Sequence, residues 1–213
     1  MIMLNSNAEE LVTLIQRRAP EYLDLFTART EQEFETAFNA ILERAVRGLE
    51  RNCKHFASLD EEGLSGVLAQ GLSVPGFSVQ QEALSKGHVD LTIEMNHCAP
   101  ARTKLAEAKI YRGPQNHVAG LGQLLSRYTT GRESRGLLIV YFRQKGIAGL
   151  VQKIREMMDG EMPLDQQGKT ADHALKWSFI SVHAHSCGEN LEVGHIGCNL
   201  HVEPQSAAEA APA

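Results

Sequence analysis

Apolar residues in the first fifty positions recur at helical spacing. Leu11, Leu14, Ile15 and Leu23 punctuate the segment from Asn7 to Phe26, and Thr30 with Glu33 forms a capping box ahead of Phe34, Phe38, Ile41, Leu42 and Val46. Ser58 and Glu61 have the same spacing and predict a further helix, with Leu64, Val67, Leu68 and Leu72 on its buried face, stopped by Pro75-Gly76. The period then changes from helical to two. After Gly87, Val89, Leu91 and Ile93 alternate with His88, Asp90, Thr92 and Glu94, which predicts a half-buried strand with Asp90 on its polar side. A polar turn near 96–103 leads to a second strand, 104–111. There Ala106, Ala108 and Ile110 take one face and Glu107 and Lys109 the other. A helix over 118–128 follows, then Gly136 to Phe142, an unbroken apolar run expected of a strand buried on both faces. A helix over 147–158 and a hairpin of strands near 176–185 and 191–202 complete the pattern.

This order predicts an α/β fold. The expected organisation is an N-terminal helical region (1–56), a catalytic core (57–203) and a disordered Ala- and Pro-rich tail (204–213). With 213 residues and 43% apolar content, the chain can bury one substantial core. No run of apolar residues is long enough for a membrane span and the N-terminus lacks a signal pattern, so a cytoplasmic protein with no membrane contact is expected. Four cysteines without a Cys-x-x-Cys pair read as reduced thiols.

The net charge of −5 conceals an uneven distribution. Between Ala101 and Glu156 stand eleven Lys and Arg against three acids, a local excess of +8. Such a stretch is either ordinary solvated surface or a face for a polyanion, and chemistry in the same stretch favours the second reading. That chemistry is present. A hairpin brings Asp90 beside Glu107 and Lys109, and two carboxylates are what a hard divalent cation such as Mg²⁺ takes together with water and phosphate oxygens. The Lys109 ammonium can orient a water and offset phosphate charge, and among apolar neighbours its pKa is expected to fall toward a value useful for proton transfer.

Taken as an ordered set, Gly87-His-Val-Asp90, a spacer of sixteen residues and Glu107-Ala-Lys109, flanked by Leu59-Asp-Glu-Glu-Gly-Leu64-Ser65 and Gly120-Leu-Gly-Gln123, resemble the PD-(D/E)xK superfamily of nucleases. The resemblance spans roughly Ser58 to Phe142. It implies a restriction-endonuclease-like α-β-β-β-α-β core with a mixed sheet. Within it, Asp90, Glu107 and the Ala108 carbonyl would bind Mg²⁺, for which Mn²⁺ can substitute, and Lys109 would be the catalytic lysine. An acid on the first core helix completes the site in many members, and here Glu61 or its neighbour Glu62 has that placement. Some members carry a Gln and a Tyr four apart on the helix after the lysine strand. Gln123 and Tyr128 are five apart, which keeps Gln123 as a site residue and puts Arg127 in the fourth position. Val89 stands where the family name has Pro.

The function expected from this resemblance is metal-dependent phosphodiester hydrolysis, most naturally as a DNA endonuclease, with RNA as the other polymer the same site could cut. Arg112, Arg127, Arg132 and Arg135 are the candidate phosphate contacts. Such nucleases serve restriction, phage defence and repair, so a homo-oligomer or a larger complex is the expected setting; a non-catalytic DNA-binding or assembly module of the same fold is the alternative. Near the C-terminus, His183, His185 and Cys187 alternate on one predicted strand and His195, Cys198 and His201 lie on its partner. Zinc would suit these residue types, but the spacing matches no closed zinc pattern, and cross-strand packing or an oligomer contact is the commoner use.

Overall fold

Strand β4 (Gly136–Phe142), buried along its whole length, organises a seven-stranded sheet. The computed structural model describes residues 8–84, 88–95, 101–133 and 135–203. Its helices are α1 (Ala8–Arg18), α2 (Pro20–Thr27), α3 (Glu31–Arg51), α4 (Glu61–Leu72), α5 (Pro114–Gln123) and α6 (Ile147–Glu161). The other strands are β1 (Ser78–Leu84), β2 (His88–Met95), β3 (Arg102–Ile110), β5 (Ala171–Asp172), β6 (Phe179–Ala184) and β7 (Asn190–Asn199). The sheet order is β1-β2-β3-β4-β7-β6-β5, with β3, β4 and β7 mutually parallel and the outer strands antiparallel to their neighbours. From α4 to β4 the elements run α-β-β-β-α-β, as expected.

The alternation of side chains along β4 divides the core. Leu137, Ile139 and Tyr141 face a cluster built with α2, α3 and α4, whereas Leu138, Val140 and Phe142 face one built with α5 and α6. The result is a mixed sheet between two helical layers. Phe34, Phe38, Ile41 and Leu42 of α3 are wholly buried in the first cluster, each contributing about 1.5–3 kcal/mol by leaving water. The expected boundary at residue 56 therefore does not separate two cores, since α3 forms part of the helical layer over the sheet. The Thr30–Glu33 capping box forms as the spacing predicts. The predicted tail, 204–213, lies outside the described residues, as does Cys98; the other three cysteines are free thiols. Among the described residues, no helix is long and apolar enough to cross a membrane.

The C-terminal histidines meet a partner that their spacing did not indicate. His117 of α5 bonds His195 (2.8 Å), His195 bonds Ser181 (2.7 Å), Ser181 bonds His183 (2.7 Å) and His183 bonds the Leu164 carbonyl (2.9 Å). Burial keeps the rings neutral, and because the carbonyl can only accept, the direction of the whole chain is then fixed. His183 donates from Nδ1 and accepts at Nε2 from the Ser181 hydroxyl. Ser181 accepts from His195 Nε2, and His195 Nδ1 accepts from His117 Nε2. The bare Nδ1 of His117 is left buried without a partner, as the structure shows. All three rings are neutral in this arrangement, and Phe179 stacks on His195 at 4.2 Å. His185 instead meets Thr129, Cys198 is buried in the opposite core, and His201 bonds the Arg143 carbonyl. The zinc arrangement is thus not assembled, and among the described residues no three His, Cys, Asp or Glu side chains stand close enough to hold a metal ion between them.

Burial depresses the pKa of His117 from 6.5 to about 3 and that of His195 well below its usual value. The unfolded chain gains protons at these rings below pH 6.5 while the native protein does not. Their stabilising contribution is therefore complete above that pH and declines as pH falls, for His117 by about 2 kcal/mol at pH 5. We expect His117→Phe to reduce the difference in urea-unfolding free energy between pH 7.5 and pH 5 by about 2 kcal/mol. An unchanged difference would contradict a neutral buried His117.

Candidate active site

The site arises where β2 parts from β3. Their ladder runs from Met95 opposite Arg102 to Leu91 opposite Ala106 and stops there, although β2 continues beside β1 to His88. The N–H and C=O groups of alternate β3 residues point to the same edge, so Ala108 and Ile110 follow Ala106 in facing the side that β2 has left. Buried backbone donors need partners. Carboxylates supply them: Asp90 Oδ2 accepts from Ala108 N–H (2.7 Å) and Glu61 Oε2 accepts from Ile110 N–H (2.8 Å). The Ala108 carbonyl lies on this same edge.

Glu61 reaches the edge because α4 begins differently from the expectation. The N-cap is Asp60, whose carboxylate accepts from Gly63 N–H (2.9 Å), and the predicted Ser58–Glu61 box does not form. Glu61 is thereby released from capping. Ser65 bonds the Glu61 carbonyl (2.8 Å) and approaches the Tyr141 hydroxyl (3.4 Å), and Arg143 at the end of β4 donates to the Leu59 carbonyl. These contacts hold the first turn of α4 over the strand ends. Glu62 is exposed, and it is Glu61 that meets Lys109 and the Ile110 N–H.

Glu107 and Lys109 project from the other face of β3, toward α5. Lys109 Nζ lies 2.5 Å from Glu107 and 3.2 Å from Glu61, joining the acids of strand and helix. Glu107 is only 2% exposed, and its Oε2 has no hydrogen-bond partner. Burial pushes its pKa up to about 7; the hydrogen bond from Lys109 opposes that rise, and the Asp90 charge adds to it. For Lys109, burial alone would lower the pKa, but the bond to Glu107 and the charges of Glu107, Glu61 and Asp90 reverse the effect and raise it. The expectation of a depressed lysine pKa is therefore overturned. Lys109 is a held cation, because the acids around it outweigh its desolvation.

Helix α5 closes the site through a glycine. A Cβ on Gly120 would stand 2.8 Å from Lys109 Cγ and 3.2 Å from Leu138 Cδ1, so the absence of a side chain is what lets the helix lie against the lysine stem. Asn116 and Gln123, four before and three after Gly120, share its helical stripe. Each has a buried carbonyl oxygen without a partner. Asn116 went unnoticed in the sequence because an isolated Asn near a helix start is ordinary; its stripe with Gly120 was the available signal.

The basic residues are dispersed by the fold. Arg112, two residues past the end of β3 that carries Lys109, is exposed. Arg135 precedes β4, and because β3 and β4 are parallel it lies at the far end of the sheet, with its carbonyl accepting from Lys104 (3.1 Å). Lys104 is five residues before Lys109, roughly 17 Å along a strand. Arg135 is bound to Glu192 (2.6 Å) and approaches Glu35 (3.7 Å), while Lys104 pairs with Glu35 in the core. Arg135, an expected phosphate contact, is thus paired with Glu192 and Glu35 at the end of the sheet away from Lys109. Arg132, exposed, lies in the same loop before β4, and the side chain of Arg127 lies outside the described residues.

The electrostatics give a direct test. Removing the Lys109 bond in Lys109→Met should raise the Glu107 pKa further above about 7, and Asp90→Asn should lower it. A carbon-detected carboxyl NMR titration would read both shifts, and a Glu107 pKa indifferent to either change would contradict the geometry. Comparison of the chain with protein-family models, with curated proteins and with solved structures finds no match.

Proposed function

We propose that this protein is a metal-dependent nuclease of the PD-(D/E)xK type, hydrolysing phosphodiester bonds, with DNA as its substrate. The observation that carries the reading is the edge of β3, where Asp90, Glu61, Glu107 and Lys109 converge on the gap left by β2. The α-β-β-β-α-β order, with Glu61 on the helix before the strands, Asp90 on the second strand and Glu107 and Lys109 on the third, supports the reading.

The residues suit a hard divalent cation. Glu107 has one buried oxygen without a hydrogen-bond partner, and burial with a neighbouring acid raises its pKa in spite of the Lys109 ammonium, a condition that a bound cation would relieve. Asp90, Glu107 and the Ala108 carbonyl would hold Mg²⁺ or Mn²⁺, an oxygen-only set that water and phosphate complete. When bound, the ion supplies Lewis-acid stabilisation of the phosphoryl oxygens and an activated water. Lys109, kept cationic, orients the attacking water and offsets charge on the phosphoryl group. Glu61 fixes the Lys109 ammonium from α4, Gln123 borders the site from α5, and Arg112 offers an exposed cation for the adjoining phosphate.

Supercoiled plasmid, linear duplex, single-stranded DNA and RNA incubated with Mg²⁺, Mn²⁺ or EDTA provide the test. Cation-dependent cleavage of DNA is expected, with Asp90→Asn, Glu107→Gln and Lys109→Met each lowering the rate by roughly 10²-fold or more. Cleavage that survives EDTA and all three substitutions would refute the assignment. A folded wild type that binds DNA but never cuts would favour the non-catalytic alternative.

A further inference from the structure

The fold sends Arg132 and Arg135 to the end of the sheet away from Lys109, but it brings other cations to the end where Lys109 stands. Strands β3, β4 and β7 are parallel and finish there together, with Ile110 beside Tyr141 and Phe142 beside Asn199. Arg112 leaves β3 at this end, and Lys145 stands three residues past β4. The last turn of α3 arrives beside β7, where Glu50 accepts from the Asn199 N–H (2.8 Å) and Cys53 Sγ approaches the His201 carbonyl (3.9 Å). Those contacts carry Arg51 to the same end, together with Lys54 on the short helical turn Cys53–Phe56.

Arg51, Lys54 and Arg112 are exposed, and among the described residues none of the three has an ion-pair partner. Lys145 is exposed as well and pairs with Glu203 (3.1 Å), itself exposed; such a pair contributes little and gives up its cation readily. In the sheet order β3-β4-β7 these residues fall on one line, which starts at the strand of Glu107 and Lys109 and leads away from the gap left by β2. Neighbouring strands stand about 4.8 Å apart, so the line from β3 to β7 is about 10 Å long. One nucleic-acid strand carries a charge about every 3.4 Å of its axis, and about three phosphates span that length. Acids share this end: Asp60 and Glu62 are exposed at the start of α4, and Glu203 meets Lys145 and His201. The face is therefore mixed, suited to discrete phosphates held by single cations and not to a diffuse anionic surface. Among the described residues, the segments bearing the cations expose no large apolar side chain of the kind that seats a protein in a lipid surface.

We propose that Arg112, Lys145, Arg51 and Lys54 form a phosphate track that carries one flank of the nucleic-acid substrate from the candidate site across the ends of β4 and β7. The track rests on the nuclease reading and gives it a direction, because the substrate is gripped on one side of the scissile phosphate. Arg51 and Lys54 come from outside the basic stretch between Ala101 and Glu156, and only the packing of α3 against β7 adds them to it.

Fluorescence anisotropy with a labelled linear duplex, in Mg²⁺ and over a series of salt concentrations, tests the track, with Lys109→Met as the background so that the duplex is not cut. Arg51→Gln/Lys54→Gln/Lys145→Gln should weaken binding at least about tenfold at about 0.1 M salt. It should also flatten the slope of log affinity against log salt by roughly 2–3, since each lost phosphate contact removes about 0.9. Arg51→Lys/Lys54→Arg/Lys145→Arg keeps the charges and should keep both quantities. Arg132→Gln removes an exposed cation at the other end of the sheet and should leave the slope unchanged. All these side chains are exposed, so far-UV circular dichroism and Tm should match those of the background. A triple glutamine variant with the background's affinity and slope overturns the track; cation-dependent cutting by the wild type would then leave the nuclease reading standing without it. A loss in Arg132→Gln as large as in the triple variant overturns the track too. A wild type that neither binds nor cuts nucleic acid defeats both readings, and binding to phosphatidylserine vesicles in preference to the duplex, lost in the triple variant, overturns the choice of nucleic acid.

Discussion

Two backbone N–H groups on β3 lose their strand partner when β2 turns away, and the candidate site is built by the way the protein satisfies them. An unpaired buried donor costs on the order of 1–3 kcal/mol. Here both donors are taken by carboxylates, from Asp90 and Glu61, which belong to different elements and meet only at this edge. The pleat puts Glu107 and Lys109 on the adjoining face, and Lys109 then ties the acid of the helix to that of the strand. The departure of one strand thus gathers three acids and a cation.

The surrounding packing keeps that edge fixed. Strand β4 supplies both cores, and its end is tied to α4 by the Tyr141–Ser65 contact and by the bond from Arg143 to the Leu59 carbonyl. Gly120 allows α5 to press on the lysine stem from the opposite layer. At the other end of β3, Lys104 is wholly buried with Glu35 of α3, which clamps the N-terminal helical layer to the sheet. Removing one partner of such a buried pair would strand a charge and cost about 3–5 kcal/mol. One end of β3 is therefore a structural ion pair enclosed by α3, while the other gathers Asp90, Glu61 and Glu107 around Lys109 and the strand edge.

Features governed by local period were legible in the sequence. The alternation around Asp90, the two-residue spacing of Glu107 and Lys109, and the apolar run of β4 all foretold where those side chains would lie. Features that turned on a choice between neighbouring caps, or on distant partners, were not. Asp60 displaces Ser58 as the helix cap because its carboxylate reaches Gly63, a local competition between two acceptable caps that spacing alone left undecided. Arg135 and Lys104 read as surface cations until α3 and β7 bring Glu35 and Glu192 to them. The Lys109 pKa follows from three acids that no single segment contains, and the histidine chain needs His117 from a helix some eighty residues before His195.

The central claim is that the acids gathered at this edge form a divalent-cation site. Anomalous diffraction from crystals soaked in Mn²⁺ locates such an ion without relying on activity. The account predicts a peak within coordination distance of Asp90, Glu107 and the Ala108 carbonyl, lost in Glu107→Gln crystals soaked in the same way. An edge that stays free of Mn²⁺ at saturating concentration, with Lys109 still paired to Glu61 and Glu107, would contradict it and leave the cluster as a structural ion network.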